Sequence, residues 1–376
     1  MLSVKYKEEF LKPSIVEAWR KRSFYVWRYR ELLPITDWNK IVSLGEGGTN
    51  LIKCPRLAGK IGLRHVFVKN EGENPTGSFK DRGMTVGVSK ALELGIKRVA
   101  CASTGNTSAS LAAYAARAGL ECIVLIPSGK IAFGKLVQAI IYGARVIQVL
   151  GNFDEALRIV EEICQKHKIY LLNSINPFRL EGQKTIAYEV WEQLGKVPEK
   201  VIVPVGNAGN ISAIWKGFKE LYDLGLINRL PQMIGIQAEG AAPIATSLKK
   251  GLETVKFVEK PETVATAIRI GSPVNWKKAV RAIKESNGMV ETVSDEEILT
   301  AQRTLARTEG LFVEPASATS IAGLTKLAKM DLVDPEETVV CIATGHGLKD
   351  PNIVLKQFPK PVEVEASVEA VIELLT

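Results

Sequence analysis

One lysine stands out for its surroundings. The segment from Asn74 to Gly83 reads NPTGSFKDRG, and it places Lys80 just inside a helix predicted from Ser78 to Leu94. The residues before Lys80 either break regular structure or are good helix caps: Pro75, Gly77, Thr76 and Ser78. This arrangement predicts a lysine held rigidly in a partly desolvated, electropositive pocket.

Such a lysine has a definite chemistry. Burial and the positive end of a helix both lower the pKa of an amine, and a neutral amine attacks an aldehyde. That is the requirement for a Schiff base with pyridoxal phosphate. A single lysine in the first turn of a helix is more often a solvated surface residue, so the assignment depends on the other motifs.

A glycine loop follows a predicted strand over residues 200–204. Small residues there let backbone N–H groups approach an oxyanion, and the start of the next helix adds a favourable dipole. The loop therefore predicts a phosphate cradle made of Gly206, Asn207, Ala208, Gly209 and Asn210. A glycine loop that serves only to turn the chain has the same composition.

A polar turn from Ser103 to Ser108 connects another strand to an alanine-rich helix. Asn106 is placed to donate to a phenolate oxygen, and the hydroxyls and N–H groups beside it are placed to hold a carboxylate. A helix capped by Thr107 or Ser108 explains the same residues equally well.

A third turn, Thr344 to Gly347, ends a late strand. The hydroxyl of Thr344 suits a hydrogen bond to a pyridine nitrogen, although a simple glycine turn fits as well. His346 stands between two glycines, and we expect it to shape the loop rather than to act as a base.

An anion site is predicted around Arg179. The segment from Asn173 to Gln183 combines two asparagines and a serine with an arginine at a helix start. A helix N-terminus disfavours a purely structural arginine, and a guanidinium beside amides and hydroxyls can hold a phosphate or a carboxylate.

Composition sets the class of protein. The chain has 376 residues, 46% of them hydrophobic, which predicts two lobes or one large α/β domain. The formal net charge is +8, but the basic residues are interleaved with acidic ones along the sequence. No nucleic-acid-binding signature accompanies the charge. The five cysteines and three histidines show no metal-ligand spacing, and no stretch suggests a signal peptide or a membrane span. We expect a cytoplasmic protein without metal, membrane or nucleic-acid partners.

Short apolar runs alternate with amphipathic helices from about residue 66, which is typical of parallel βαβ units. Predicted strands at residues 65–69, 98–102, 122–126, 145–149 and 169–172 make a first sheet. Later strands at 200–204, 233–237 and 338–343 make a second sheet, with a helix at 179–194 before them. Ligands of such sheets bind at the carboxyl ends of strands, which is where the polar loops fall.

Taken in order, these motifs resemble the fold-type II pyridoxal-phosphate enzymes, and most closely the threonine synthase family. The resemblance runs from about Trp27 to Pro351 and includes the early glycine motif from Ser43 to Thr49. It implies an α/β fold of the tryptophan synthase β type, with two open, mostly parallel twisted sheets, flanking helices and an active site in the interdomain cleft. A small mobile domain would span 66–175, and a large cofactor-phosphate-binding domain would comprise 1–65 and 176–376. A homodimer is expected.

The resemblance also assigns roles. Lys80 would bind pyridoxal 5′-phosphate covalently, Asn106 would face its 3′-oxygen, and Thr344 would meet the pyridine nitrogen. Residues Gly206 to Asn210 would wrap the cofactor phosphate. The predicted substrate residues are Ser103, Thr104, Thr107, Asn173, Ser174, Arg179 and Asn207, and Phe153 would close over the ring. The implied reaction converts O-phospho-L-homoserine and water into L-threonine and phosphate.

Other functions compete with this prediction. Threonine or serine dehydratases need no anion cluster for a substrate phosphate, and their cofactor loop is usually a run of glycines. Cysteate synthase, which uses phosphoserine and sulfite, is harder to separate because its substrate is also a phosphorylated amino acid. A non-catalytic cofactor-binding protein is disfavoured by the intact lysine and anion cluster. A nicotinamide-dependent dehydrogenase is disfavoured because the glycine loops lack the G-x-G-x-x-G spacing.

Overall fold

Two sheets organise the part of the chain that the structure describes. The structure, a computed structural model, describes residues 2–6, 12–128, 133–151, 153–359 and 361–375; of residues 133–135, 153 and 154 it describes the backbone only. The strands are β1 Leu51–Lys53, β2 His65–Asn70, β3 Arg98–Ala102, β4 Glu121–Pro127, β5 Arg145–Val149, β6 Tyr170–Leu171, β7 Lys200–Pro204, β8 Gln232–Ala238, β9 Met289–Val293 and β10 Thr338–Ala343.

The larger sheet has six strands in the order β1-β2-β10-β7-β8-β9, and the smaller has four in the order β5-β4-β3-β6. All neighbouring strands are parallel except β1 and β2, which are antiparallel. In each sheet, three successive strands are added toward one edge and a later strand is added on the opposite side of the first of them, so the strand order reverses at one point. These points lie between β7 and β10 and between β3 and β6, and they are where ligands bind in open α/β sheets.

Helices cover both sheets. They are α1 Ile15–Arg20, α2 Pro55–Ile61, α3 Lys80–Glu93, α4 Asn106–Ala118, α5 Phe133–Ile141, α6 Phe153–His167, α7 Pro177–Gln183, α8 Thr185–Leu194, α9 Gly209–Asp223, α10 Pro243–Lys249, α11 Trp276–Glu285, α12 Asp295–Glu309, α13 Pro315–Lys329, α14 Pro351–Leu355 and α15 Val368–Glu373. Short 3₁₀ turns lie at Val26–Leu32, Trp38–Lys40, Glu71–Glu73, Glu239–Ala241, Thr266–Ile268 and Gly347–Lys349. None of the described helices is long and apolar enough to cross a bilayer.

The central strands of the large sheet are buried on both faces. Every residue of β7 and β10 is buried, which explains their continuous apolar sequences. Along β7, Val201 and Val203 join one hydrophobic cluster, and Ile202 joins the cluster on the other face. The predicted fold class, two mostly parallel sheets with flanking helices, is confirmed.

Strand β2 lies in the large sheet, although the sequence predicted it in the small one. It pairs in parallel with β10, with Val66 opposite Val339 and Val68 opposite Cys341. The strand was misplaced because its partner comes from the far end of the chain, and local sequence carries no signal for that pairing. The prediction that this strand belongs to the small sheet is therefore wrong, and the small sheet begins with β3.

The predicted helix over 179–194 is two helices, α7 and α8, which meet at Lys184. The lysine is fully buried, with its Nζ 2.7 Å from Glu181 and 2.8 Å from Glu220. The 3₁₀ turn at Val26–Leu32 packs against α8 of the larger lobe. Tyr29 lies edge-on to Tyr188 of α8, with ring centroids 5.1 Å apart.

The described cysteines are all buried and form no disulfide with one another: Cys54, Cys101, Cys122, Cys164 and Cys341.

Candidate active site

One cavity lies where the reversal points of the two sheets face each other. It contains about 570 Å³ of space free of protein atoms, its open mouth included. Its walls come from loops at the carboxyl ends of β7 and β10, from the start of α4 and from the residues after β6. The lining residues are Phe79, Lys80, Asn106, Ser174, Leu180, Gln183, Pro204, Gly206, Asn207, Ala208, Gly209, Asn210, Ala267, Ile268, Glu314 and Thr344.

Lys80 enters this cavity from a tightly fixed turn. Gly77 has φ +80°, and its N–H donates to Asn74 over 2.7 Å. The next residues attach the turn to the loop after β10, since Phe79 N–H donates to the carbonyl of Thr344 over 3.0 Å. The Lys80 Nζ lies 3.9 Å from the ring centroid of Phe79. The chain thus places the lysine at the first residue of α3, on the cavity wall.

The expected capping residues do not cap this helix. Its N-cap is Phe79, with no side-chain capping bond. Thr76 instead donates its hydroxyl to Asp81 over 2.6 Å, and its N–H donates to the same carboxylate over 2.7 Å. Thr76 is too far before the helix to cap it, because the turn inserts three residues between them.

Asp81, next to the lysine, fixes the turn from inside the protein. It is fully buried and also accepts from Ser110 over 2.5 Å. From the other side, Lys349 donates to the Thr76 carbonyl over 2.7 Å and to Gln138 of α5. Burial raises the pKa of Asp81 to about 6, although its hydrogen bonds oppose the shift.

This pKa predicts a pH-dependent stability difference between the wild type and Asp81→Asn. A carboxyl group whose pKa rises on folding, here from 3.8 to about 6, stabilises the fold at low pH and loses that contribution as pH rises. The free energy of unfolding of the wild type, relative to the variant, should fall by up to about 3 kcal/mol from pH 4 to pH 7. Urea unfolding at several pH values measures this, and a constant difference would contradict it.

Arg82 anchors the same helix to the large sheet. It is fully buried, and its guanidinium contacts Glu71 and Glu189, each at 2.5 Å. Glu189 also accepts from Lys69 of β2 over 2.7 Å. Burial alone would raise the pKa of Glu189, but Arg82 and Lys69 outweigh it and lower that pKa. The network joins α3, α8 and β2, so it fixes the direction in which α3 presents Lys80.

The loop after β7 has the form of an anion cradle. Ala208 has φ +63°, an unusual conformation for a residue other than glycine, and it is the N-cap of α9. The first N–H groups of a helix have no partner within it. Asn210 is 7% exposed, and both polar atoms of its amide lack a hydrogen-bond partner among the described residues.

Asn106 and Thr344 line the same cavity as Lys80. Thr344 Oγ1 lies 3.1 Å from Ser317 Oγ, and Ser317 also bonds both backbone groups of Gly345. Asn106 donates to Glu314 over 2.8 Å. Ser317 and Glu314 belong to the start of α13. Sequence reasoning missed both, because a residue before Pro315 indicates only an ordinary helix start. As expected, His346 shapes its loop by accepting from the N–H of Leu348.

Only Ser174 and Asn207 of the predicted substrate residues line this cavity. Asn173 instead binds strand β3, because its amide makes two hydrogen bonds of 2.9 Å with the backbone of Ala102. Ser103 Oγ accepts from Gly105 over 3.1 Å, and Thr107 is 8% exposed near the start of α4. Ser103, Thr104 and Thr107 therefore lie beside the cavity at the end of β3, without lining it.

Arg179 lies in the first turn of α7 and is fully buried outside the cavity lining. It donates to the carbonyl of Leu172 over 3.0 Å, and its Nε and Nη2 have no hydrogen-bond partner among the described residues. Burial lowers the pKa of the guanidinium to about 10, so it remains a cation near neutral pH. The side chain of Phe153 lies outside the described residues.

Comparison with known proteins defines the class of this chain. Residues 42–345 match the family described as pyridoxal-phosphate dependent enzyme. A threonine synthase of Methanocaldococcus jannaschii is 58% identical over all of this chain and 93% of its own length. A threonine synthase of Methanosarcina acetivorans is 58% identical over 93% of this chain and 86% of its own. Maize serine racemase superposes with a TM-score of 0.70 at 22% identity, covering 82% of this chain and 91% of its own, which shows the shared fold.

The chain belongs to the pyridoxal-phosphate-dependent enzymes. Within them it belongs to the threonine synthase family, whose members it matches over nearly its whole length. The prediction of the family and of the cofactor is confirmed.

The residues of the cavity fit this cofactor. The buried amide of Asn210 and the Oδ1 of Asn106 have no hydrogen-bond partner among the described residues. Gly206 lies so close to the chain that an added Cβ would be 2.9 Å from the Cα of Ile268. The cavity therefore offers unused polar atoms beside a loop that has no room for a larger side chain.

Gly206→Ala is expected to weaken cofactor binding. The new methyl group would press against backbone at Ile268, so the cradle must shift to relieve it. Inserting a methyl group into a packed region typically costs about 1–3 kcal/mol. We therefore expect the dissociation constant for pyridoxal phosphate to rise at least about tenfold. Titration of the cofactor-free protein measures this. Gly59→Ala is the matched control, since a Cβ there meets no atom within 4 Å. An unchanged affinity in Gly206→Ala would remove this loop from the cofactor site.

Proposed function

We propose that this protein is a threonine synthase, which converts O-phospho-L-homoserine and water into L-threonine and phosphate. The observation that carries the proposal is the meeting of Lys80, Asn106, Thr344 and the loop from Gly206 to Asn210 in one cavity between the sheets. The near full-length similarity to threonine synthases supports it.

The cofactor-binding residues proposed here are the ones that line the cavity. Lys80 would bind the aldehyde carbon covalently, and the backbone from Gly206 to Asn210 would hold the phosphate. Asn106 would contact the ring hydroxyl, and Thr344 would contact the pyridine nitrogen. Pyridoxal phosphate, when bound, supplies the electron sink that stabilises a negative charge at the α-carbon of the substrate. A hydroxyl does not protonate a pyridine, so Thr344 would leave the ring nitrogen neutral. A neutral ring withdraws electrons less strongly, which favours elimination over transamination.

The substrate residues are proposed in two groups. Ser103, Thr104 and Thr107, at the end of β3, hold the substrate carboxylate with hydroxyl and N–H groups. The substrate phosphate is bound by a second set: Asn173, Ser174, Arg179 and Asn207. Because Arg179 is fully buried, this binding requires the segments beside it, after β6 and at the end of β3, to shift.

Lys80 moves the protons of the reaction. Its amine takes the proton from the α-carbon, and loss of a proton from the β-carbon then lets the phosphate leave from the γ-carbon. A proton is returned to the γ-carbon, water adds its hydroxyl to the β-carbon, and the α-carbon is protonated again. The sum is one water consumed and one phosphate released, with no change in oxidation state.

The domain division is proposed with one correction. The small domain comprises the four-stranded sheet with its helices, within 66–175 but without β2, and the large domain comprises the remaining residues. We expect the small domain to move on substrate binding, because the predicted phosphate ligand Arg179 lies beside β3 and β6. Hydrogen exchange of residues 98–128, with and without substrate, tests this movement.

We also propose a cytoplasmic homodimer that acts on small molecules and binds neither membranes nor nucleic acid. The resemblance supports the dimer, and the interleaving of basic with acidic residues argues against a nucleic-acid surface. Light scattering of the purified protein and a nucleic-acid gel shift test these statements directly.

A substrate comparison tests the function. The protein is assayed with O-phospho-L-homoserine, with phosphoserine plus sulfite, and with threonine. We expect phosphate and threonine from the first substrate at a rate far above any product from the others. Cysteate from the second pair would identify a cysteate synthase, and 2-oxobutanoate from threonine would identify a dehydratase.

A further inference from the structure

Glu314 is a buried acid in the cavity to which the proposed reaction gives no role. It is 1% exposed and is the N-cap of α13, directly before Pro315. Its N–H donates to the carbonyl of Gly345 over 3.0 Å. The backbone of Glu314 is therefore fixed by the same loop that carries Thr344.

The carboxylate of Glu314 reaches across the cavity to the small sheet. Its Oε1 accepts from the Nδ2 of Asn106 over 2.8 Å, and Asn106 is the first residue of α4 and 4% exposed. Because Oε1 accepts this bond, the Nδ2 end of the amide faces Glu314. The Oδ1 of Asn106 is buried with no hydrogen-bond partner among the described residues. The bond to Glu314 uses one of the two N–H groups of Nδ2, and it thereby sets the direction of the second N–H, which is the group that can donate to a phenolate oxygen.

The surrounding residues leave room for this contact. An added Cβ at Gly345 would be 2.7 Å from the Oε1 of Glu314, so a larger residue there would displace the carboxylate. Ser317, one turn into α13, holds Thr344 and Gly345. The first turn of α13 therefore positions both polar side chains that face the cofactor ring in the proposed site.

We propose that Glu314 is a positioning residue that orients Asn106 toward the ring hydroxyl of pyridoxal phosphate. By the same bond it joins α4 of the small sheet to α13 of the large sheet across the cavity. The inference rests on the proposed function only through the role of Asn106 at the cofactor, and it does not depend on the substrate.

A double-mutant cycle on cofactor affinity tests the proposal. The variants are Glu314→Ala, Asn106→Ala and the double variant, each prepared free of cofactor and titrated with pyridoxal phosphate. If Glu314 acts through Asn106, each single change raises the dissociation constant roughly tenfold, and the double change raises it no further. A double variant whose loss equals the product of the single losses would overturn the proposal. Glu296→Ala, an exposed acid in the first turn of α12, is the control and should have no effect.

A second pair keeps the test informative if Glu314→Ala does not fold. Asn106→Asp places a second carboxylate against Glu314, so it should weaken cofactor binding and alter the absorption spectrum of the bound cofactor. Adding Glu314→Gln removes one of the two opposed carboxylates and supplies a donor to the new aspartate, so it should restore part of the affinity. A pair no better than Asn106→Asp alone would contradict the proposal. Because cofactor affinity and absorption are read without substrate, failure here is distinct from failure to make threonine.

Discussion

Lys80→Ala should lose the absorption band of lysine-bound cofactor and lower the rate of phosphate release from phosphohomoserine by at least about 1,000-fold, the scale of a lost general base. Lys80 is the lysine of the cavity wall, at the first residue of α3. The variant removes both the covalent attachment and the proton carrier, so these two losses should appear together. Absorption spectra and a steady-state phosphate assay measure them.

Two variants control this result. Lys97→Ala removes an exposed lysine just before β3 and should leave both measurements unchanged. Lys80→Arg keeps the positive charge but does not form the covalent bond, so it should behave like the alanine variant. A lysine-bound band that persists in Lys80→Ala would assign the attachment to another residue.

Arg179→Met should abolish substrate recognition while leaving the fold and the cofactor in place. The guanidinium is fully buried, and its Nε and Nη2 lack partners in the described part of the chain. Without the guanidinium, the substrate phosphate loses its cationic partner, so the KM for phosphohomoserine should rise at least about 100-fold. The cofactor dissociation constant should change by less than about threefold, since it reflects a different anion site.

The stability of the same variant gives an independent reading. A buried charge without full compensation costs free energy, and replacing it with an apolar chain of similar length is often neutral or stabilising. We therefore expect the free energy of unfolding of Arg179→Met to equal or exceed that of the wild type. Arg117→Met, at the exposed end of α4, is the control. Equal loss of cofactor and substrate affinity would instead make Arg179 a structural residue.

Much of the fold follows from local sequence. The strands β3, β5, β7 and β10 have the predicted bounds. In β7 and β10 the apolar run is continuous because both faces are buried, and α13 begins at a proline, which favours the first turn of a helix. These signals are contained in the residues themselves, so no knowledge of the partner elements is needed.

The errors of prediction come from distant partners. Strand β2 has the sequence of any buried strand, and only its pairing with β10 decides its sheet. Lys184 is a good helix former, so local sequence carries no signal for the break between α7 and α8 at this residue, where the lysine forms buried ion pairs with Glu181 and Glu220. Asn173 suits a phosphate site by composition, but in the structure its amide bonds the backbone of Ala102.

The candidate site, like the fold, has residues that local sequence predicts and residues that only the folded chain identifies. Glycine loops and helix starts after strands predicted the positions of Lys80, Asn106, Thr344 and the cradle at Gly206 to Asn210, all of which line one cavity. Their roles toward cofactor and substrate remain predictions. Glu314 was missed because its importance lies in a contact with Asn106 that only the folded chain creates.

Isotope transfer from water tests most directly which bond the enzyme breaks. When phosphohomoserine is converted in water enriched in ¹⁸O, the account predicts threonine with the label in its hydroxyl group and phosphate without it. That outcome requires cleavage between carbon and oxygen at the γ-position, followed by hydration at the β-carbon. Labelled phosphate together with unlabelled homoserine would mean simple hydrolysis of the phosphate ester and would contradict the account.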